Sequence, residues 1–222
     1  RSNIALIGAG PNSQLTWVNI PVNDSAGVNF RGFLRIVGAE GVAISNITVQ
    51  GIYFRGDTPA GGVFATQKNI IHLRFVQDVN ILYNRVERAG AEAIILTGNT
   101  NIRIRIQGNT VWNSAHNGIN TNAATLPANA ELQVIVKDNF IRNVDNFGLE
   151  GGSEAVLWES NTVIDTGSSC LSVNSDSAIK WNIVSKNVLI RCANAVNEVG
   201  ITFNNTGAGT PNLWMILDNH IY

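Results

Sequence analysis

Val79-Asn80-Ile81-Leu82-Tyr83-Asn84-Arg85-Val86 and Ile104-Arg105-Ile106-Gln107-Gly108-Asn109-Thr110-Val111 are two copies of one frame, and that frame decides the fold. It returns four more times, around Asn139 (Val134 to Ile141), Asn161 (Val156 to Val163), Asn187 (Asn182 to Leu189) and Asn219 (Trp214 to Ile221). Successive asparagines are 22 to 32 residues apart. Counted from the asparagine, positions −5, −3 and +2 are apolar in nearly every copy. A spacing of two is strand periodicity, and the change of phase across the asparagine marks a corner. A unit that recurs at this length and cannot bury its own apolar face must stack on its neighbours, which predicts a solenoid.

Working outward, each coil carries a further strand about ten residues after the asparagine: Ile94–Leu96, Ile119–Thr121, Leu149–Gly151, Leu171–Val173 and, after an insertion, Ile201–Phe203. Gly118 and Gly148 precede two of these, as tight turns favour. Upstream, Ile47-Thr48-Val49-Gln50-Gly51-Ile52-Tyr53-Phe54 keeps the frame with Ile52 in place of asparagine, Leu34–Ile36 reads as a later strand, and Ile4–Leu6 reads as an earlier one. The expectation is an all-β, right-handed, single-stranded parallel β-helix of about seven coils with an inward asparagine ladder. At about 4.8 Å per stacked strand the rod is on the order of 30–35 Å long. A bend leaves backbone groups that no sheet satisfies, and an inward asparagine pairs with them, with its counterpart in the next coil, and tolerates left-handed backbone. Asn84, Asn109, Asn139, Asn161, Asn187 and Asn219 are therefore structural. A helical reading fails because no window keeps an i, i+3, i+4 stripe.

The 222 residues are 45% hydrophobic, enough for one core, and are read as a single domain over residues 1–222. A net charge of −1 with 14% charged residues supplies no field for nucleic acid or an anionic membrane. No apolar run reaches the length of a membrane span. The ends look uncapped, which points to a longer chain, flanking capping segments or a homo-oligomer. Cys170 and Cys192 are read as two buried thiols; the alternative, one bridge between coils, needs Cα atoms within about 7 Å. No metal site and no cofactor are expected.

The repeat, together with the opening Ser2-Asn3-Ile4-Ala5-Leu6-Ile7-Gly8-Ala9-Gly10, resembles the pectate-lyase-like superfamily of right-handed β-helices. The superfamily includes pectate and alginate lyases, polygalacturonases, uronan epimerases, phage tailspike depolymerases and adhesins. The resemblance implies an extracellular, cell-surface or virion protein with a polysaccharide partner. It does not name a branch: the aspartate trio of polygalacturonases and the Asp-Pro-His element of alginate epimerases are absent. The acidic cluster and paired arginine of classical pectate lyases cannot be assembled from these residues. Lys186, beside Asn187, faintly resembles the lysine of another lyase group, but it is read as a solvent-exposed structural residue.

In a solenoid, residues at equal register stack about 5 Å apart, so sites assemble without motifs. Positions +3 to +7 form one strip with Glu87, Arg88, Trp112, Asn113, His116, Arg142, Asn143, Asp145, Asn146, Asp165, Arg191 and Asn194. Positions from +11 form another with Asn120, Asn122, Glu150, Glu154, Ser172, Asn174 and Asp176. Trp112 suits stacking on a sugar; Asn113, Asn143, Asn146, Glu150 and Arg191 suit reading hydroxyls and carboxylates. Asp145 with Asp165, or Glu150 with Asp165, is the candidate carboxylate pair of a glycoside hydrolase. His116 or Lys186 as base and Arg142 as neutraliser of a uronate carboxylate are the candidate groups of a lyase. His72 is read as an outward strand residue, and His220 as lying outside any site. Insertions at residues 55–68, 122–130 and 204–212 offer loop walls, the first on the Trp112 side. Two functions compete: a lyase or hydrolase acting on an acidic polysaccharide, and a non-catalytic saccharide-binding, adhesin or tailspike-type solenoid. Ice binding is set aside, because register +1 lacks a threonine ladder.

Overall fold

The computed structural model of the chain describes residues 3–9, 13–16, 32–39, 42–58, 68–98, 101–121, 134–151, 155–175, 181–192, 199–205 and 213–222. Residues 59–67, 122–130 and 206–212 of the three expected insertions lie outside them, as do Asn194, Glu154 and Asp176. Every coil contributes one strand to each of three parallel sheets. The first sheet has eight strands, from Ile4–Ile7 to Leu213–Leu217, and holds the residues that precede each asparagine. The second also has eight, from Gln14–Thr16 to His220–Ile221, and holds those that follow it. The third has seven, from Gly32–Val37 to Ile201–Asn205. The chain is a right-handed parallel β-helix of about seven coils, as expected.

Register is continuous along the rod. Val79 pairs with Ile104, Ile104 with Val134, and Val134 with Val156, so the −5 positions form one inward column. The −3 column (Val49, Ile81, Ile106, Val136, Trp158, Val184) and the +2 column (Phe54, Val86, Val111, Ile141, Val163, Leu189) are buried throughout the middle of the rod. These columns fill the interior as stacked apolar ribbons. Gly151 marks a place of close packing: a Cβ there would stand 2.2 Å from the Trp158 ring. Gly118 serves the same kind of need, not the turn expected of it. It lacks a left-handed φ, and a Cβ would strike the Gly148 carbonyl at 2.5 Å.

The asparagine ladder has a repeating bond pattern. Asn109 donates Nδ2–H to Asn139 Oδ1 at 3.0 Å, and its backbone N–H reaches the same oxygen at 2.9 Å. Asn139 Nδ2 also donates back to the Ile106 carbonyl at 2.9 Å. The pattern runs unbroken to Asn219, and at the other end the Ile52 N–H still reaches Asn84 Oδ1 at 3.1 Å. One expectation needs correction. The left-handed residue is not the asparagine but the one before it: Gly51, Tyr83, Gly108, Asp138, Ser160, Lys186 and Asp218 all have positive φ. The asparagine supplies side-chain bonds, and its predecessor supplies the bend. Asn69, Asn101 and Asn182 form corner contacts that the sequence reading missed, each fully buried with Oδ1 accepting a backbone N–H at 2.9–3.1 Å.

Cys170 and Cys192 are disulfide-bonded, with Cα atoms 5.1 Å apart, which corrects the reading as two thiols. Stacking of adjacent coils brings residues 22 apart within bridging reach. His72 has the outward register expected, pairing with Arg35 and Ile95 in the third sheet, yet it is fully buried.

Candidate functional site

The second sheet builds the first candidate surface. Within each strand, +2 and +5 point inward, while +1, +3 and +4 face out. Two consecutive outward residues break strand alternation, and the break has a cause. Position +4 is left-handed in every middle coil, at Arg88, Asn113, Asn143, Asp165 and Arg191. That bulge re-phases the strand so that Ser114, Val144 and Thr166 turn back into the core. Left-handed backbone is tolerated best by Gly, Asn and Asp, which suits the polar residues of this column.

Pairing sets the outward columns side by side. At +1, Tyr53, Arg85, Thr110 and Phe140 are neighbours in successive coils; at +3, Arg55, Glu87, Trp112 and Arg142 are. The half-buried Trp112 ring lies between two guanidinium groups, Arg85 at 5.8 Å and Arg142 at 5.9 Å. Arg85 also stacks over the Tyr53 ring at 4.8 Å and pairs with Glu87 at 3.2 Å. The Tyr53 hydroxyl donates to Glu87, and burial followed by that carboxylate raises the Tyr53 pKa. Phe140 is exposed one coil on. In a chain of net charge −1, this face carries Arg55, Arg85, Arg88, Arg142 and Arg191 against Glu87 and Asp165.

Asp165 sits at the hinge of the cationic groups. Arg191 grips both its oxygens, at 2.5 and 2.9 Å, and Arg142 Nε approaches at 3.4 Å without hydrogen-bond alignment. The Arg191 hydrogen bonds, with Arg142 adding to them, hold the Asp165 carboxyl below the usual carboxylate range. Asn143 donates to Asn113 at 3.3 Å in the same column.

A second cluster forms at the corner between the second and third sheets. The buried Glu92 carboxylate contacts His116 Nδ1 at 3.0 Å. Asn146 Nδ2 faces His116 Nε2 at 3.1 Å and Asn117 Oδ1 at 3.0 Å. Asn117 and Asn120 both donate to Glu150 Oε2, at 2.6 and 2.7 Å. Because the Asn146 amide donates, Nε2 is the acceptor and Nδ1–H points at Glu92.

The expected site residues therefore divide. Trp112, Asn113, Arg142, Asn143, Asp165 and Arg191 share the outer face of the second sheet, whereas His116, Asn146 and Glu150 share the corner. Asp145 belongs to neither: its carboxylate has no hydrogen bond or ion pair among the described residues, and partial burial raises its pKa. Sequence reading missed Tyr53, Arg85 and Phe140, although +1 and +3 have the same parity and face the same way. It also missed Glu92 and Asn117, which stand two residues before Ile94 and Ile119 and so share one register position. Among the described residues no group of three or more His, Cys, Asp or Glu could hold a metal ion.

No family model and no curated protein matches the chain. Among solved structures, the siphovirus 9NA tailspike receptor binding domain aligns with a TM-score of 0.43 at 9% identity, over 87% of this chain and 47% of that one.

Proposed function

We propose that the outer face of the second sheet binds an acidic polysaccharide, and that the chain is a carbohydrate-binding solenoid displayed outside the cell or on a virion. The observation that carries this is Trp112, held between Arg85 and Arg142 in adjacent coils, with Tyr53 two coils away and Phe140 one coil away on the same face. Aromatic faces stack on pyranose rings, and guanidinium groups pair with carboxylates. The Cys170–Cys192 bridge supports an oxidising compartment. No helix is long and apolar enough to cross a membrane among the described residues.

Calorimetric titration with polygalacturonate and alginate, against neutral dextran, tests the proposal. The acidic polymers are expected to bind and dextran to bind far more weakly. Trp112→Ala weakens binding about ten-fold, equivalent to about 1.4 kcal/mol. Equal affinity of wild type and Trp112→Ala for the acidic polymers would sink this face as the site.

One observation favours an enzymatic reading. The buried Glu92 carboxylate on His116 Nδ1 keeps Nε2 as the basic nitrogen, as a proton-abstracting group needs. In a lyase reaction His116 takes the proton beside the uronate carboxylate, while Arg142 stands with Trp112 and Asp165 on the outer face and not in this corner. The arginine-locked Asp165 stays ionised, which suits a base or nucleophile and not a proton donor. Incubation with the same polymers, followed by unsaturated-product absorbance and reducing ends, separates the readings. Product that disappears in His116→Ala supports the lyase; no product from any polymer leaves the binding solenoid.

A further inference from the structure

We propose that the Cys170–Cys192 disulfide is a positioning element of the second sheet's outer face, acting through Arg191 and Asp165 on Arg142. This rests on the reading of that face as a binder of acidic glycans.

In the three coils just before that of Asn187, those of Asn109, Asn139 and Asn161, the ladder resumes after the left-handed +4 residue: Ser114 pairs with Val144, and Val144 with Thr166, whereas the earlier strand Arg85–Glu87 ends before its own left-handed Arg88. Asn113, Asn143 and Asp165 thus lie inside their strands, Thr110–Ser114, Phe140–Val144 and Thr162–Thr166. In the next coil the pairing stops at Ile164 with Ile190. Arg191 is left-handed like its column neighbours but lies beyond the strand Val188–Ile190. Position +5, which turns inward and pairs at Ser114, Val144 and Thr166, is here Cys192, and it is bonded to the fully buried Cys170. The covalent bond takes the place of the missing ladder pair.

A second ion pair gives the contrast. Asp78 and Arg103 form the same two-bond contact across adjacent coils, at 2.5 and 2.9 Å, with both residues left-handed. Arg103 lies within the strand Ile102–Gln107 and needs no tether. Among the described residues, the backbone around Arg191 is held by its N–H bond to the Tyr222 carbonyl at 2.9 Å and by the bridge at the following residue.

The consequence falls on Arg142. Asp165 is shared between Arg191, which takes both oxygens, and Arg142, which waits at 3.4 Å while its guanidinium lies by Trp112. When Arg191 is loosened, Asp165 turns to its other cationic neighbour. Arg142 is then neutralised and drawn off the indole, and the face loses one of the two cations that flank Trp112.

Two measurements test this at a temperature where each variant remains folded. The first needs no ligand: the Arg142 Nε–H resonance in wild type and in Cys170→Ala/Cys192→Ala. It is expected to shift in the double variant; an unmoved resonance overturns the proposal. The second is polygalacturonate affinity. The double variant and Arg191→Gln, whose bridge is intact, are each expected to bind roughly five-fold more weakly, and Asp165→Asn added to either restores binding. Wild-type affinity in both, or no rescue by Asp165→Asn, overturns the positioning role. Should the double variant fail to fold, Arg191→Gln with and without Asp165→Asn carries both measurements. If wild type binds no acidic polymer, the glycan reading fails by itself, and the Arg142 resonance still decides the positioning role.

Discussion

His72 shows how a single residue reports its surroundings. Its register is outward, but its side chain is fully buried and bonded to Thr97 Oγ1 at 2.6 Å. Burial first, then the charges of Arg35 and Arg74, push its pKa down to about 4. The unfolded chain takes up a proton near the ordinary histidine value of about 6.5, well before the folded one does. Stability from this group is therefore intact above that value and is lost as pH falls from about 6.5 to about 4. The total is about 3 kcal/mol, at about 1.36 kcal/mol per pKa unit. Urea unfolding of wild type and His72→Gln across this range checks it: the variant is expected to lose most of the acid sensitivity, and parallel curves would refute the assignment. Trp112 makes the complementary point on the surface, where its meaning depends on the arginines one coil to either side.

At the scale of an element, the asparagine ladder works as a cooperative polar seam inside an apolar rod. Asn139 makes four contacts: two received at Oδ1 from Asn109, and two given by Nδ2, to Ile106 and Asn161. Asn139→Ala removes these four bonds and leaves the buried Asn109 N–H without its acceptor, which is expected to cost about 2–4 kcal/mol. Asn219 is the last rung and is half-buried, so Asn219→Ala costs about 1 kcal/mol. Equal losses in chemical denaturation would show that the seam is not what satisfies the corner. The second sheet depends on a different device, the left-handed +4 column, which turns Asn113, Asn143, Asp165 and Arg191 outward beside the +3 residues.

Across the whole molecule, stability in a stacked solenoid is a sum over neighbouring coils, so damage stays local. The Cys170–Cys192 bridge closes a span of 22 residues and stabilises by about 3 kcal/mol through the unfolded state. Its removal is expected to raise amide exchange first in the strands Val188–Ile190 and Ile201–Asn205, while Ile102–Gln107 stays protected. Uniform loss of protection along the rod would contradict this picture.

The β-helix was legible in the sequence because period-two apolar positions and a recurring asparagine are local signals, and each repeats the same demand six times. Register followed from it, and with it the neighbourhood of Trp112 and Arg142. Other features depended on contacts between coils. The sequence separation of 22 residues does not say that Cys170 meets Cys192; the inward turn of +5 does. The left-handed residue lies one place before the asparagine, because the ladder needs the asparagine's side chain and leaves the bend to its predecessor. His116 and Arg142 occupy one strip in the sequence yet divide between a corner network and an open face, since the chain turns between +4 and +7. Periodicity along the chain determined which residues stack; only the path of the backbone around each corner decided which way they point and which charges they meet.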